Sequence, residues 1–231
     1  MAYYEKQDYF RASSLLEELL PIFRGTQKAE KVLYYYAFSQ YHMGEYLMAA
    51  YYFENFVKTY PNSVYAEECL YLTAECYFND SPVYSLDQTN TYKAINQIEL
   101  FVSRYSQSTR ITGCNDMLDK LRVKLETKAF ETARLYYNME DFKASTYEFR
   151  NLLKDFPDTK YREEATFFIL KANYNYANNS ILQKKGDRLR SAIEAYNQYV
   201  DAYPSGKYLK DAQEIFDKSL KQIEKLPKSN S

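Results

Sequence analysis

Hydrophobic and polar positions alternate along this chain with the period of an α helix rather than that of a strand. In the segment YLMAAYYFENFVKTYP, residues 46–61, a small residue is followed by aromatic side chains at intervals of four, three and four positions. These offsets place the apolar side chains on one face of a helix, and the final proline ends it. The side chains are Ala49, Phe53, Phe56 and Tyr60, followed by Pro61.

Four further segments repeat this spacing, which makes it a periodic feature of the chain. They are Ala12, Leu16, Leu19 and Phe23; Ala94, Ile98, Phe101 and Tyr105; Ser145, Phe149, Leu152, Phe156 and Pro157; and Ala192, Tyr196, Tyr199, Tyr203 and Pro204. A second pattern, a small residue with an aromatic four positions later, occurs at Ala37, Ala74, Ala133, Ala172 and Ala212. Two helices per repeat with small residues at their crossings are typical of tetratricopeptide hairpins. We predict an all-α, tetratricopeptide-like helical-hairpin solenoid with about five repeats and ten helices.

The distance between the two patterns indicates how the chain is divided. In two repeats the helices are separated by an insertion, residues 80–91 and 178–188. Residues 114–139 contain neither Pro nor Gly and predict one long helix. We therefore predict N-terminal repeats in 1–109, a long connecting helix in 110–139, and C-terminal repeats with a closing helix in 140–231.

The first hairpin is expected to be truncated. Ala12 occupies the second-helix pattern, so its matching first helix would have to begin before Met1. A repeat array that starts in mid-hairpin would expose an apolar stripe. We therefore expect that the native chain begins upstream, and the lack of a targeting segment carries no information.

Composition argues against several classes of function. The formal net charge is −1, without the basic excess of a general nucleic-acid binder. The single histidine, His42, excludes a histidine-based metal cluster, and the five glycines form no phosphate-binding loop. We expect no catalytic residue, no metal and no cofactor, and interpret the chain as a binding protein rather than an enzyme. The three cysteines are expected to be buried free thiols.

Aromatic residues suggest where binding occurs. The chain has 27 Tyr and 14 Phe but no Trp, and several of these rings fall on the predicted inner face of the first helices. Aromatic pockets suit extended peptides that carry aromatic side chains. The candidate groove consists of Lys31, Tyr34, Phe38, Tyr41, His42, Tyr71, Glu75 and Phe78. The alternative is that these aromatics only pack between repeats.

The segment GEYLMAAYYFENFVKTYPNSVYAEECLYLTAECYFNDSPVYSLDQTNTYKAI, residues 44–95, carries a family resemblance. It resembles the BamD family, the tetratricopeptide lipoproteins of the outer-membrane β-barrel assembly machinery (the BAM complex), in its Bacteroidetes form. The similarity extends over essentially the whole chain, including the closing YPSGKYLKDAQEIF. The alanine, aromatic and proline positions are generic to tetratricopeptides, whereas the loop DSPVYSLDQTNTYKAI is specific.

The resemblance implies a function beyond the repeat pattern. Such a protein is a periplasmic scaffold and client-binding subunit of the machinery that folds and inserts β-barrel proteins. Its N-terminal repeats would receive unfolded outer-membrane proteins, and its C-terminal repeats would dock on the POTRA domains of the central barrel subunit. Accessory lipoproteins would be further partners, and nucleic acid would not. A lipidated N-terminal cysteine would hold it to the periplasmic face of the outer membrane; Cys69, Cys76 and Cys114 lie inside repeats, so that anchor is not in this chain.

Two other interpretations remain open. One is a periplasmic tetratricopeptide adaptor of the cell-division, Tol-associated type, which would be expected to carry a coiled-coil trimerisation segment. The other is a SusD-like glycan-binding lipoprotein, which usually needs exposed Trp for sugar stacking and a much longer chain. These 231 residues contain no such trimerisation segment and no Trp, and they are fewer than a SusD-like protein usually has.

Overall fold

The computed structural model describes residues 2–227, and within that range every regular element is a helix and there is no strand. Eleven helices follow one another. They are α1 (Ala2–Glu5), α2 (Tyr9–Phe23), α3 (Ala29–His42), α4 (Tyr46–Thr59), α5 (Ala66–Asn79), α6 (Thr89–Arg104), α7 (Ile111–Asn138), α8 (Phe142–Asp155), α9 (Arg162–Asn178), α10 (Leu182–Ala202) and α11 (Leu209–Glu224). Successive helices pack as hairpins, which confirms the all-α, tetratricopeptide-like fold.

Two compact units divide the described residues, the first up to Lys124 and the second from Leu125. Helix α7 is continuous across this boundary and contributes residues to both units. The predicted division at residues 109 and 139 remains a prediction. Its ends at Met1 and at 228–231 lie outside the described residues.

The N-terminal unit is built on small residues at its helix crossings. Ala37, Ala49, Ala74 and Ala94 are completely buried, as their place in the repeat pattern predicts. A methyl side chain lets neighbouring helices approach closely, so the rings of Phe53 and the other aromatics of the pattern fill the space beside each crossing. The cysteines Cys69, Cys76 and Cys114 lie in this core as free thiols, as expected.

The C-terminal unit repeats the arrangement, except that a serine takes the place of one alanine. Ala133, Ala172, Ala192 and Ala212 are buried at crossings, and Ser145 occupies the corresponding position of α8. The Ser145 hydroxyl donates a hydrogen bond to the Ala133 carbonyl at 3.0 Å. Because its polar atom is satisfied, serine fits this buried position as well as alanine does.

The two insertions adopt different structures. Residues 80–88 form a loop between α5 and α6, held by the Gln88 side chain, which donates to the Val83 and Leu86 carbonyls at 3.0 Å each. The second insertion is instead mainly helical, because α10 begins at Leu182. Helix formation across Gly186 costs about 1 kcal/mol relative to alanine, and burial of Leu189 at the next turn offsets it.

Candidate functional site

Helices α3 and α5 are joined by two tyrosine–glutamate hydrogen bonds. The Tyr34 hydroxyl donates to Glu68 Oε2 at 2.7 Å, and the Tyr41 hydroxyl donates to Glu75 Oε2 at 3.1 Å. Tyr34 and Tyr41 are seven residues apart on α3, as are the two glutamates on α5, so the bonds are separated by about 10 Å along the helices. Together they fix the rings of α3 against the carboxylates of α5.

Helix α5 also presents aromatic rings toward basic side chains at the start of α7. The guanidinium of Arg110, next to the first residue of α7, lies 4.8 Å from the centre of the Tyr71 ring and donates to Glu68 Oε1 at 3.1 Å. The Lys120 ammonium lies 6.0 Å from the centre of the Phe78 ring. We call Tyr34, Tyr41, Glu68, Tyr71, Glu75 and Phe78 the aromatic–acidic row.

The rings of this row are partly buried and partly accessible. The Tyr34 ring lies 4.6 Å from that of Phe38 and 4.3 Å from that of Tyr65, measured between centroids. Tyr71 packs edge-on against Phe101 at 5.7 Å. Both tyrosines keep intermediate exposure, so each ring packs between helices and also faces solvent. Rings held in this way lose little conformational freedom when a partner binds.

Burial controls the protonation of the row's hydroxyl groups. Desolvation, followed by the hydrogen bond from its hydroxyl to Glu68, raises the pKa of Tyr34 well above that of free tyrosine. Desolvation, followed by the charge of Glu75, raises the pKa of Tyr41. Both hydroxyls therefore stay protonated to a more alkaline pH than free tyrosine does, and each donates its proton to a glutamate that holds the ring in one orientation.

The structure brings most of the predicted groove residues together. Phe38 packs between Tyr34 and His42 on α3, at centroid distances of 4.6 and 6.0 Å, while Tyr41 and Glu75 are hydrogen-bonded across helices. Lys31 is exposed near the start of α3. The assignment of these residues to a peptide groove remains a prediction, as does the alternative that they only pack between repeats.

His42 has a local environment different from the rest of the row. Its ring stacks on Tyr9 of α2 with centroids 4.3 Å apart and planes 16° apart, and Tyr4 approaches it at 6.5 Å. Burial lowers the pKa of His42, so the neutral ring is favoured. This contact ties the first two helices to the end of α3.

The candidate groove predicted from the sequence does not include three residues of this region: Glu68, Arg110 and Lys120. The signal for Glu68 is the separation of 34 residues from Tyr34, which equals that between Tyr41 and Glu75 and is the length of a tetratricopeptide repeat. Arg110 and Lys120 belong to the segment interpreted as a connecting helix. Its buried residues at Cys114, Met117 and Leu121 have helical spacing and show that this stretch packs in the N-terminal unit.

Residues 2–227 show neither a metal-binding cluster nor a membrane-spanning helix. No three His, Cys, Asp or Glu side chains come together there as a metal site would require. None of the helices in that range is both long enough and apolar enough to cross a membrane.

The chain matches a known protein family and is similar to a named relative. The family model described as "YfiO: Outer membrane lipoprotein" matches residues 1–189. The chain is also similar to a protein of Aquifex aeolicus (strain VF5) named "Putative outer membrane protein assembly factor BamD", with 24% identity over 192 residues. That match covers 83% of this chain and 59% of the relative, so the chain spans about three fifths of the relative's length.

Proposed function

Because the chain belongs to the YfiO family of outer membrane lipoproteins, we propose that it is a periplasmic scaffold that receives unfolded β-barrel proteins for insertion into the outer membrane. Its client-binding surface would be the aromatic–acidic row of the N-terminal unit. The observation that carries the proposal is that Tyr34 and Tyr41 are fixed by hydrogen bonds to Glu68 and Glu75 while their rings remain partly exposed.

The chemistry of the row suits an extended chain with aromatic side chains. Partly exposed, immobilised rings offer stacking surface at a small entropic cost. The carboxylates of Glu68 and Glu75 each retain further acceptor capacity, which backbone N–H groups of an unpaired strand can use. An extended peptide rises about 3.3 Å per residue, so at least about four residues are needed to reach both tyrosine–glutamate pairs.

A peptide-binding measurement tests this proposal. Fluorescent peptides ending in an aromatic residue, one of three residues and one of eight, are titrated against the wild-type chain and the variant Tyr34→Ala with Tyr71→Ala. Each well-packed aromatic at a binding hot spot contributes about 2 kcal/mol. We expect the longer peptide to bind wild type more tightly than the shorter one, and the double variant to lose at least about tenfold in affinity.

The matched control is Tyr51→Ala with Tyr92→Ala. These two tyrosines are more than half exposed on α4 and α6 of the same unit, outside the row. The control should bind as wild type does, and circular dichroism should be helical for both variants. Equal affinity for all three proteins would mean that the row is only packing between helices and that clients bind elsewhere.

The C-terminal unit would dock on the POTRA domains of the central barrel subunit. Supporting this is an apolar surface near the α7–α8 turn, where Leu135 and Met139 lie one helical turn apart and both are more than half exposed, as is Tyr147 on α8. Such side chains anchor protein interfaces. Changing Leu135 and Met139 to Ser should abolish co-purification with the barrel subunit, whereas Tyr34→Ala with Tyr71→Ala should leave it intact; the reverse result would contradict this assignment.

The proposal includes a role without catalysis, and a lipid anchor on the native protein at the periplasmic face of the outer membrane. The family description supports membrane association. Metabolic labelling of the full-length protein with a radioactive fatty acid tests the anchor directly; an unlabelled protein in the outer-membrane fraction would contradict it.

A further inference from the structure

The turn between α9 and α10 presents an exposed apolar pair, which is followed along the chain by basic residues. Ile181 and Leu182 are 62% and 60% exposed, so two adjacent aliphatic side chains form a small apolar surface. The following residues of α10 are four basic and one acidic within a stretch of seven. They are Lys184, Lys185, Arg188 and Arg190, with Asp187.

This turn is held in place by its own polar contacts. Arg188 donates to the Ser180 hydroxyl, and its guanidinium lies 3.7 Å from the centre of the Tyr176 ring. The backbone carbonyl of Ile181 accepts from the N–H groups of Lys184 and Lys185 at 3.0 and 3.1 Å. The apolar pair is therefore displayed by an ordered backbone and does not depend on a flexible loop.

The basic residues have different roles. Arg188 holds the turn, and Arg190 forms an ion pair with Asp187 at 2.6 Å. Lys184 and Lys185 form no ion pair with any carboxylate of residues 2–227. Two lysines without acidic partners beside two exposed aliphatic side chains leave a surface that favours an anionic and partly apolar partner.

The insertion of the N-terminal unit provides a comparison within the same molecule. It also exposes two aliphatic side chains, Val83 at 63% and Leu86 at 58%. Residues 80–91 contain two aspartates and no basic residue, however. Both insertions thus expose apolar side chains, but only the second has basic residues in its own sequence. At the first, the Lys124 ammonium of α7 donates to the Ser81 carbonyl at 3.0 Å.

We propose that the α9–α10 turn is a membrane-contact site, in which Ile181 and Leu182 insert into a lipid surface while Lys184 and Lys185 bind its anionic headgroups. Interfacial binding of this kind combines a small buried apolar area with attraction of lysine to acidic lipid. Because the chain belongs to a family of outer membrane lipoproteins, we take a lipid surface as the partner of this site. The proposal is independent of client binding by the N-terminal unit.

Vesicle sedimentation of the unacylated chain tests the charge requirement. Binding of the chain to vesicles of phosphatidylcholine mixed with phosphatidylglycerol is compared with its binding to vesicles of phosphatidylcholine alone. Each basic residue near an anionic surface contributes about fivefold, so Lys184→Gln with Lys185→Gln should weaken binding at least about tenfold. The matched change Val83→Ser with Leu86→Ser should leave binding unchanged.

Fluorescence tests the insertion itself, because the chain contains no Trp and any signal comes from an introduced probe. In Leu182→Trp, anionic vesicles should shift emission to shorter wavelength, and brominated lipid should quench it. In Leu86→Trp, neither change should occur. An unshifted Leu182→Trp spectrum would overturn the proposal, and so would equal shifts for both probes. Binding to polyglutamate with no binding to vesicles would also overturn it and indicate an acidic protein partner.

Discussion

The two units use the same hairpin pattern but present different side chains at equivalent positions. Counting from the alanines at the crossings, Tyr34 and Tyr71 correspond to Phe130 and Ile169, which are both buried. Glu68 and Glu75 likewise correspond to Thr166 and Asn173. The N-terminal row is therefore acidic and partly exposed, whereas its C-terminal counterpart is neutral and largely contributes to the core.

The hydrogen bonds at these positions differ in the same way. In the N-terminal unit the Tyr41 hydroxyl donates to the carboxylate of Glu75. In the C-terminal unit the equivalent Tyr137 hydroxyl accepts from the amide of Asn175 at 2.7 Å. The repeat pattern thus specifies the fold of both units, and a few substitutions on the first helices of the hairpins decide which unit retains a polar, aromatic surface.

The largest expected effect is on stability in the C-terminal unit. Phe130 is 2% exposed and its ring stacks on that of Tyr161 with centroids 4.3 Å apart. Phe130→Ala should lower the free energy of unfolding by about 3–5 kcal/mol, because it leaves a cavity. Tyr34→Ala at the equivalent position should cost less, since part of that ring is already in solvent. Urea unfolding of both variants checks this; equal losses would contradict the assigned difference in burial.

The second prediction concerns alkaline pH and the hydroxyls of the N-terminal row. The pKa values of Tyr34 and Tyr41 are higher in the folded than in the unfolded chain, with burial as the first cause. Their contribution is therefore fully present below about pH 10, the pKa of unfolded tyrosine, and is lost as pH rises above it. Tyr34→Phe with Tyr41→Phe should lower stability at neutral pH by about 1–3 kcal/mol.

The same double variant should also lose stability less steeply above about pH 10 than wild type does. Urea midpoints measured at a series of pH values show both effects. A variant whose alkaline stability curve runs parallel to that of wild type would show that these hydroxyls are not held in the folded chain. The control Tyr92→Phe, at an exposed position, should follow wild type throughout.

The third prediction is a gain in stability. Asn173 is buried, and its Nδ2 has no hydrogen-bond partner among the described residues. Asn173→Leu keeps the number and branching of the side-chain heavy atoms and removes an unsatisfied donor, so thermal unfolding should show a gain of about 1 kcal/mol. Glu75→Leu at the equivalent position should be destabilising, because the Tyr41 hydroxyl loses its acceptor. Changes of the same sign at both positions would contradict the comparison.

The smallest expected effect is that of Lys31. Its side chain is exposed, and an exposed ion pair with a client carboxylate contributes about 0.2–1 kcal/mol. Lys31→Ala should therefore weaken peptide binding by less than about sixfold, and added salt should reduce that difference further. A larger loss of affinity would mean that the charge of Lys31, rather than the aromatic rings, contributes most to peptide binding.

The sequence predicted the helical hairpins well because their determinants are local. Small residues such as Ala49 and Ser145 at fixed distances from aromatics identify each crossing without knowledge of its partner. The second insertion was harder to predict, since Gly186 resembles a loop residue and the helix depends on burial of Leu189.

The candidate site was predictable only in part. The periodicity indicated that Tyr34 and Tyr71 lie on first helices, but not that Glu68 and Arg110 fix them. Those contacts join residues 34 to 42 positions apart, and they depend on the relative rotation of helices, which side-chain packing sets.

Exchanging the row tests the central claim most directly. The variant Tyr34→Phe, Glu68→Thr, Tyr71→Ile and Glu75→Asn gives the N-terminal unit the side chains found at equivalent positions of the C-terminal unit, on an unchanged hairpin pattern. Affinity for the fluorescent barrel peptide is measured by titration, with circular dichroism as the check on folding. We predict a helical protein whose affinity falls at least about tenfold, because the Tyr71 ring and both carboxylate acceptors are removed and the Tyr34 ring loses the hydrogen bond that fixes it. A folded variant that binds the peptide as tightly as wild type would contradict the account.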